Sequence, residues 1–268
     1  MTIASQFREL HHADEILLMP NAWDAGSAKI LQYLGFRAVA TTSSGAAAAR
    51  GQLDGGLDRD TVLSHSAELA SAVDVPVSAD LENCFADEPS GVAETIRRAL
   101  TTGLAGASVE DWSGTAIYDP VLAAERVQAA TESAGSALVI TARAENHIRD
   151  VDDLDDTIAR LQAYQQAGAE VLFAPGIRTR EQIRAVVSSL DVPVSVLVLP
   201  GTPPVAELAE LGVRRISVGG AFAFSAYGAL VEAAREIQTN GTYDYWGRAG
   251  RGGTAARNAF TCRGQVPT

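Results

Sequence analysis

Cysteine is nearly absent: Cys84 and Cys262 are the only two among 268 residues, too few for a disulfide framework. Long apolar runs are missing as well. No stretch approaches the roughly 20 residues needed to span a bilayer, and the opening MTIASQFRELHHADEILLMP has no extended apolar core of the signal-peptide kind. A reducing cytoplasm is the expected setting, with no membrane as partner. Basic residues are outnumbered, 21 Lys and Arg against 33 Asp and Glu, for a formal charge of −12. Nucleic acid is therefore not expected as a partner, because phosphate backbones are held by clustered cations. A small anionic molecule is not excluded, since a local arginine, a metal ion or a set of amides holds an anion whatever the net charge.

Two chemical signatures are lacking too. The first apolar run is followed by MPNAWDAGSA, not by the Gly-x-Gly-x-x-Gly turn of a dinucleotide-binding fold. The four histidines, His11, His12, His65 and His147, have no metal-ligand spacing, and no Ser-His-Asp or Cys-His set is legible. A hydrolase with a covalent intermediate is not favoured. Cys84 follows a strand end, but a lone small thiol in a loop reads as a packed side chain.

What the chain does have is alternation. Apolar runs of four to seven residues alternate with longer segments of helical period, the pattern of strand-helix units on a parallel sheet. The candidate strands are EILLMP (15–20), RAVATTS (37–43), VPVSAD (75–80), GASVED (106–111), ALVITAR (137–143), EVLFAP (170–175), VPVSVLVL (192–199) and RRISVGG (214–220). Helix, glycine and strand recur in LGFRAVATTS, AGASVED, AGAEVLFAPG and LGVRRISVGG, the glycine reading as a left-handed helix stop. Eight such units close into a (β/α)8 barrel, whose strands are buried on both faces and so look continuously apolar. An open doubly wound sheet is the alternative. The barrel is expected over 1–240 as a single domain, with 241–268, rich in Gly and Arg, as a C-terminal extension.

Catalytic groups of such a barrel lie at the C-terminal ends of its strands, and the unusual polar residues collect there. Strand one ends in Asn21, Trp23 and Asp24, strand two in Thr42, Ser43, Ser44 and Gly45, and strand three in Asp80 and Glu82. Strand four ends in Glu110 and Asp111, and strand five in Arg143, Glu145 and Asn146. Asp80, Glu82 and Glu110 brought into one mouth create a negative potential that needs neutralising, which suits a hard divalent cation, Mg2+ first, on oxygen ligands and water. The alternative is that each acid caps a helix or pairs with a rim cation. Arg143 reads as an anchor for a carboxylate or phosphonate. TTSSGAA offers hydroxyls and successive amides as an anion cradle.

In order and on successive strands, PNAWDAGSA, TTSSGAAAARGQLDGG, VPVSADLENCFAD, GASVEDW and TARAEN resemble the isocitrate lyase and phosphoenolpyruvate mutase superfamily, from about Leu17 to Ile237. The resemblance implies a (β/α)8 barrel that forms a homodimer or homotetramer by exchanging its last helix, with an Mg2+ site (Mn2+ as a possible substitute) for 2-oxo acids. It assigns Asp80, Glu82 and Glu110 to the metal. Ser43, Ser44 and Gly45 match the segment that holds the substrate carboxylate, and Arg143 matches the arginine contacting substrate. Asp54 in QLDGG matches the acid on the flexible loop after strand two. With Trp23 and Asn146 at neighbouring strand ends, the expected substrate set is Trp23, Ser43, Ser44, Gly45, Asp80, Arg143 and Asn146, and the expected catalytic pair is Asp54 and Arg143.

The departures narrow the chemistry. Isocitrate- and methylisocitrate-cleaving members carry a Lys-x-Cys-Gly-His-type segment after the ED motif, whereas this chain has EDWSGTAIYDP, with no Lys, Cys or His. Mutase and phosphonopyruvate hydrolase members place a lysine on this loop, which is absent too. Glu82 is one methylene longer than the family's aspartate, and Cys84 stands where glycine is frequent. The expected activity is a Mg-dependent carbon–carbon lyase on a small 2-oxo or 2-hydroxy (di)carboxylic acid through a pyruvyl enolate, in the manner of oxaloacetate decarboxylase. Phosphorus–carbon chemistry and a barrel that binds a 2-oxo acid without turning it over are the alternatives.

Overall fold

The computed structural model describes residues 2–261. Its strands are β1 (Leu17–Leu18), β2 (Asn21–Ala22), β3 (Val39–Thr41), β4 (Val77–Asp80), β5 (Gly106–Glu110), β6 (Val139–Arg143), β7 (Val171–Phe173), β8 (Val194–Leu197) and β9 (Arg215–Ser217). The helices are α1 (Ile3–His11), α2 (Ala25–Tyr33), α3 (Ser43–Ala48), α4 (Arg59–Ala72), α5 (Pro89–Ala99), α6 (Pro120–Ala134), α7 (Leu154–Gln166), α8 (Arg180–Ser188), α9 (Val205–Glu210), α10 (Ala221–Asn240) and α11 (Trp246–Thr261).

All strand pairs are parallel, in the order β1-β9-β8-β7-β6-β5-β4-β3-β2. The ends of that series, β1 and β2, are separated only by Met19 and Pro20. They are the two halves of one strand, the first bonded to β9 and the second to β3, so the sheet closes into a (β/α)8 barrel. At the break, the Asn21 side chain joins its neighbours: Oδ1 accepts from the amides of Val218 and Gly219, each at 2.9 Å, and Nδ2 donates to the Thr41 carbonyl at 2.7 Å.

Each of the eight apolar runs contains a strand, but a shorter one, because the terminal polar residues turn away to begin loops or helices. Ser43, expected at the end of strand two, instead opens the short helix α3, capped by Thr42 Oγ1 on the Gly45 amide. The glycine stops hold at Gly35, Gly168 and Gly212, all with φ near +90°. In AGASVED the assignment is corrected: Gly103 (φ +79°) is the left-handed residue, and Gly106 lies inside β5. A Cβ there would come within 2.8 Å of Phe7 Cε1 and of the Val139 carbonyl. That close approach is α1 plugging the N-terminal end of the barrel, with Phe7 fully buried among Leu17, Ala105, Val139 and Val171.

The expected extension holds α11, which packs on α2 of the same chain. The part of the extension beyond residue 261, including Cys262, lies outside the described residues. Among the described residues no helix is long and apolar enough to cross a membrane.

Candidate active site

Two adjoining cavities occupy the C-terminal mouth. One, of about 280 Å3, runs into the barrel and is lined by residues including Asn21, Ser43, Ser44, Asp80, Arg143 and Arg215. The other, of about 510 Å3, lies to its side and is lined by residues including Glu82, Asn83, Glu110, Trp112 and Gly114. Ser43, Asp54, Arg143 and Arg149 line both.

Arg143, at the end of β6, is the hub. Its Nη1 lies 3.0 Å from Asp80 Oδ1, its Nη2 3.3 Å from Glu110 Oε2, and its Nε 2.9 Å from Glu145 Oε1. Burial opposes its charge, but Glu145, Glu110 and Asp80 outweigh this and raise its pKa. Register explains the meeting: Arg143 pairs with Glu110 on β5, and Asp80 on β4 pairs with Ser108 two residues earlier. The second carboxylate oxygen of Asp80 accepts from the Ser43 amide at 3.2 Å and hydroxyl at 2.9 Å.

The acids outnumber their cations. Burial drives the carboxyls of Glu110 and Glu145 upward. Glu82 is pushed up to about 7, first by burial and then by the charges of Asp80 and Asp54. Asp80, Glu82, Glu110, Glu145 and Asp54 thus face two guanidinium groups in the mouth, Arg143 and Arg149. Glu82 sits on a distorted turn, where Glu82, Cys84 and Phe85 all have φ between 51° and 60°, a region costing roughly 1–2 kcal/mol for a side-chain-bearing residue. Arg126 of α6 holds that turn, donating to the carbonyls of Asn83 (2.7 Å), Ala86 (2.6 Å) and Asp87 (2.9 Å) while stacking on Tyr118.

Several expected site residues lie elsewhere. Trp23 lines neither cavity; it packs over Gly45, whose missing Cβ makes room for it. Asn146 is buried and turned toward α7, donating to Asp156 at 2.7 Å. Gly45 also sits behind the cavity wall, its amide committed to Thr42. The cradle is therefore narrower than TTSSGAA implied: Ser43 serves Asp80, leaving Ser44 at the cavity wall, its hydroxyl 3.1 Å from Thr42 Oγ1. Cys84 is fully buried, its thiol pushed up to about 12 by burial, which removes it as a nucleophile.

Arg149, Glu145 and Arg215 were not singled out as substrate or metal residues from the sequence. Arg149 lies in a short helical turn after β6, stacked 4.6 Å above Trp112, with Glu145 at 3.4 Å and Glu110 at 3.8 Å. The loop after β5 contributes no cation and closes on itself through Ser113 and Ala116. Arg149 supplies the positive charge at that edge of the mouth.

The family model described as phosphoenolpyruvate phosphomutase matches residues 7–238. A solved Burkholderia cenocepacia J2315 structure, named only by class as a lyase or mutase, superposes with a TM-score of 0.94 at 45% identity, covering 99% of this chain and 98% of that one. Oxaloacetate decarboxylase of Bradyrhizobium sp. (strain BTAi1) is 32% identical over 215 residues, 74% of this chain and 71% of its own. Oxaloacetate acetylhydrolase, solved with its product oxalate, gives a TM-score of 0.82 at 26% identity over 90% of this chain and 88% of that one. A more distant fold neighbour, phosphonopyruvate hydrolase at 24% identity, is solved with oxalate and Mg2+. By the match of nearly its whole length, the chain belongs to the phosphoenolpyruvate phosphomutase family, within the superfamily that also holds the isocitrate lyase-type lyases.

Proposed function

We propose that this protein is a Mg2+-dependent lyase that cleaves a carbon–carbon bond in a small 2-oxo or 2-hydroxy dicarboxylic acid. The observation that carries it is the Asp80–Arg143–Glu110 cluster, acid-rich and buried, beside a loop that lacks a cysteine, lysine or histidine to donate a proton.

Metal fit can be judged from the donor set. Among the described residues no three His, Cys, Asp or Glu side chains stand close enough together to cage an ion. Mg2+ commonly keeps several waters and takes only one or two carboxylates, and Asp80, Glu82 and Glu110 are the residues that would hold it. The excess of carboxylates, and the burial and then neighbouring charges that lift Glu82, fit a site completed by a cation. When bound, Mg2+ would polarise the oxo and carboxylate oxygens of the substrate.

The chain's own part is to bind, orient and stabilise. Ser44 and the remaining N–H groups of Arg143 take one carboxylate, and Arg149 takes the other through charge-assisted hydrogen bonds. Negative charge developing on the substrate as the bond breaks meets a guanidinium already fixed by three carboxylates, so little reorganisation is needed. Asp54, on the exposed loop between α3 and α4, stands over both cavities, where it can take the hydroxyl proton of a 2-hydroxy acid. A 2-oxo acid that loses carbon dioxide needs no such base. The self-bonded loop after β5 fits a reaction that does not depend on a donor from that side. The protein works as a homo-oligomer, joined through the apolar helix α10.

The test is release of pyruvate or a related 2-oxo acid from oxaloacetate and from substituted malates in the presence of Mg2+. Activity lost on adding EDTA and in Asp80→Ala is the expected result. Full turnover after metal removal, or phosphate release from phosphonopyruvate in preference, overturns the reading. Oxalate binding with no product from any of these substrates assigns a binding barrel instead.

A further inference from the structure

Below the mouth, the barrel interior is polar where such barrels ordinarily pack branched apolar side chains. Ser78, Ser108, Ser217 and Arg215 line the inner part of the smaller cavity. Arg215, the first residue of β9, is only 3% exposed. Its Nε donates to Ser195 Oγ at 2.9 Å and its Nη1 to Thr141 Oγ1 at 3.1 Å, while His11 Nε2 accepts at 3.2 Å. All three partners are uncharged, the imidazole of His11 being pushed down to about 3 by burial and then by the charge of Arg215.

Among the described residues no carboxylate pairs with Arg215, its Nη2 has no acceptor, and the hydroxyls of Ser78 and Ser217 have no hydrogen-bond partner. A guanidinium buried without a counter-charge is costly, by several kcal/mol in general. Burial and the charge of Arg143 draw its pKa down to about 9, yet at neutral pH it remains a cation. Arg8, Arg143, Arg149 and Arg160, by contrast, all face carboxylates. What Arg215 faces instead is open space joined to the mouth.

We propose that Arg215, with the hydroxyls of Ser78 and Ser217, forms an anion subsite inside the barrel that takes one carboxylate-sized anion. The subsite stands on the geometry alone and does not depend on the lyase reading. Two sources share this chemistry. Thr141, which holds Arg215, precedes Arg143 by two residues on the same face of β6, and both guanidiniums line the same cavity. A dicarboxylate held at Arg143 can send its second carboxylate outward to Arg149 or, in the alternative pose, inward to Arg215, all three of which line the same cavity. A free small anion, such as bicarbonate or formate, can equally enter alone.

Crystals of the full-length protein soaked in sodium bromide give the decisive measurement. The expected result is an anomalous bromide peak within hydrogen-bonding distance of Arg215 Nη2, absent from Arg215→Gln crystals. Thermal unfolding in sodium formate, compared with a bulky sulfonate at equal ionic strength, should raise the Tm of the wild type and of Arg215→Lys but not of Arg215→Gln. If Arg215→Gln does not fold, the wild-type bromide map decides by itself. No peak at Arg215 overturns the proposal, as does a formate response as large in Arg215→Gln as in the wild type. Formate that competes with oxalate identifies a substrate carboxylate as the natural occupant, and formate whose effect adds to oxalate identifies a free anion; either retains the subsite, and neither requires turnover.

Discussion

At the scale of single residues, charge balance governs the mouth. Arg143 is committed to three carboxylates, so Arg149, with looser pairs at 3.4 and 3.8 Å, is the cation with donors to spare. Arg149→Met should weaken oxalate binding by about ten- to a hundredfold, the size of losing a hydrogen bond to a charged group, about 1.5–3 kcal/mol, while leaving the Tm nearly unchanged. Calorimetric titration in Mg2+ reads the first, and thermal unfolding the second. Glu82 gives a pH signature. Its folded pKa of about 7 lies above the ordinary value of 4.5, so the folded state holds a proton that the unfolded chain releases. The stability this contributes is fully present below about pH 4.5 and is lost as pH rises through about 7. In divalent-free buffer, Glu82→Gln should flatten that decline in a Tm-versus-pH curve. A wild-type curve rising from pH 5 to 8 by as much as that of the variant would remove Glu82 as the cause.

Among the elements, α1 and β5 meet without clearance. Gly106→Ala puts a methyl group 2.8 Å from both Phe7 and the Val139 carbonyl, an overpacking that should cost about 1–3 kcal/mol. Urea unfolding measures it, and combining the change with Phe7→Leu should recover part of the loss. The strands were legible in the sequence because parallel strands buried on both faces read as unbroken apolar runs. The acids at their ends were legible because they break off otherwise apolar runs. What stayed hidden was direction. Ser78 and Asp80, Ser108 and Glu110, Thr141 and Arg143, and Arg215 and Ser217 are pairs two apart, and a strand places such pairs on one face. Followed along each strand, that period points to a polar interior and to Arg215. Arg149 carried no such signal, since it lies beyond the strand in an irregular turn. Trp23 and Asn146 show the converse: they follow strand ends closely, but the chain has already turned outward and neither lines a cavity of the mouth.

For the whole molecule, α10 is unfinished as a monomer's surface. Only Ala223 of its 20 residues is buried, while Phe222, Phe224, Leu230, Val231 and Ile237 are exposed, Leu230 by 63%. An apolar helix face of this kind marks an interaction surface, and a second copy of the chain is the occupant that the family resemblance implies. Sedimentation at micromolar concentration should give a dimer or tetramer, and Leu230→Glu combined with Phe224→Glu should shift it toward monomer. A wild-type monomer would remove this assembly.

The divided first strand also governs when the site comes into being. Leu17 pairs with Arg215, and Asn21 clasps Val218 and Gly219, partners separated by nearly the whole barrel. Contacts of such long sequence separation are slow to form, because the chain between them must first be ordered. During synthesis, the N-terminal half can collapse around its own strands, but the ring stays open until β9 has emerged. Only then do Asn21 and Arg215 reach their places, and the mouth and shaft are completed in the same closing step.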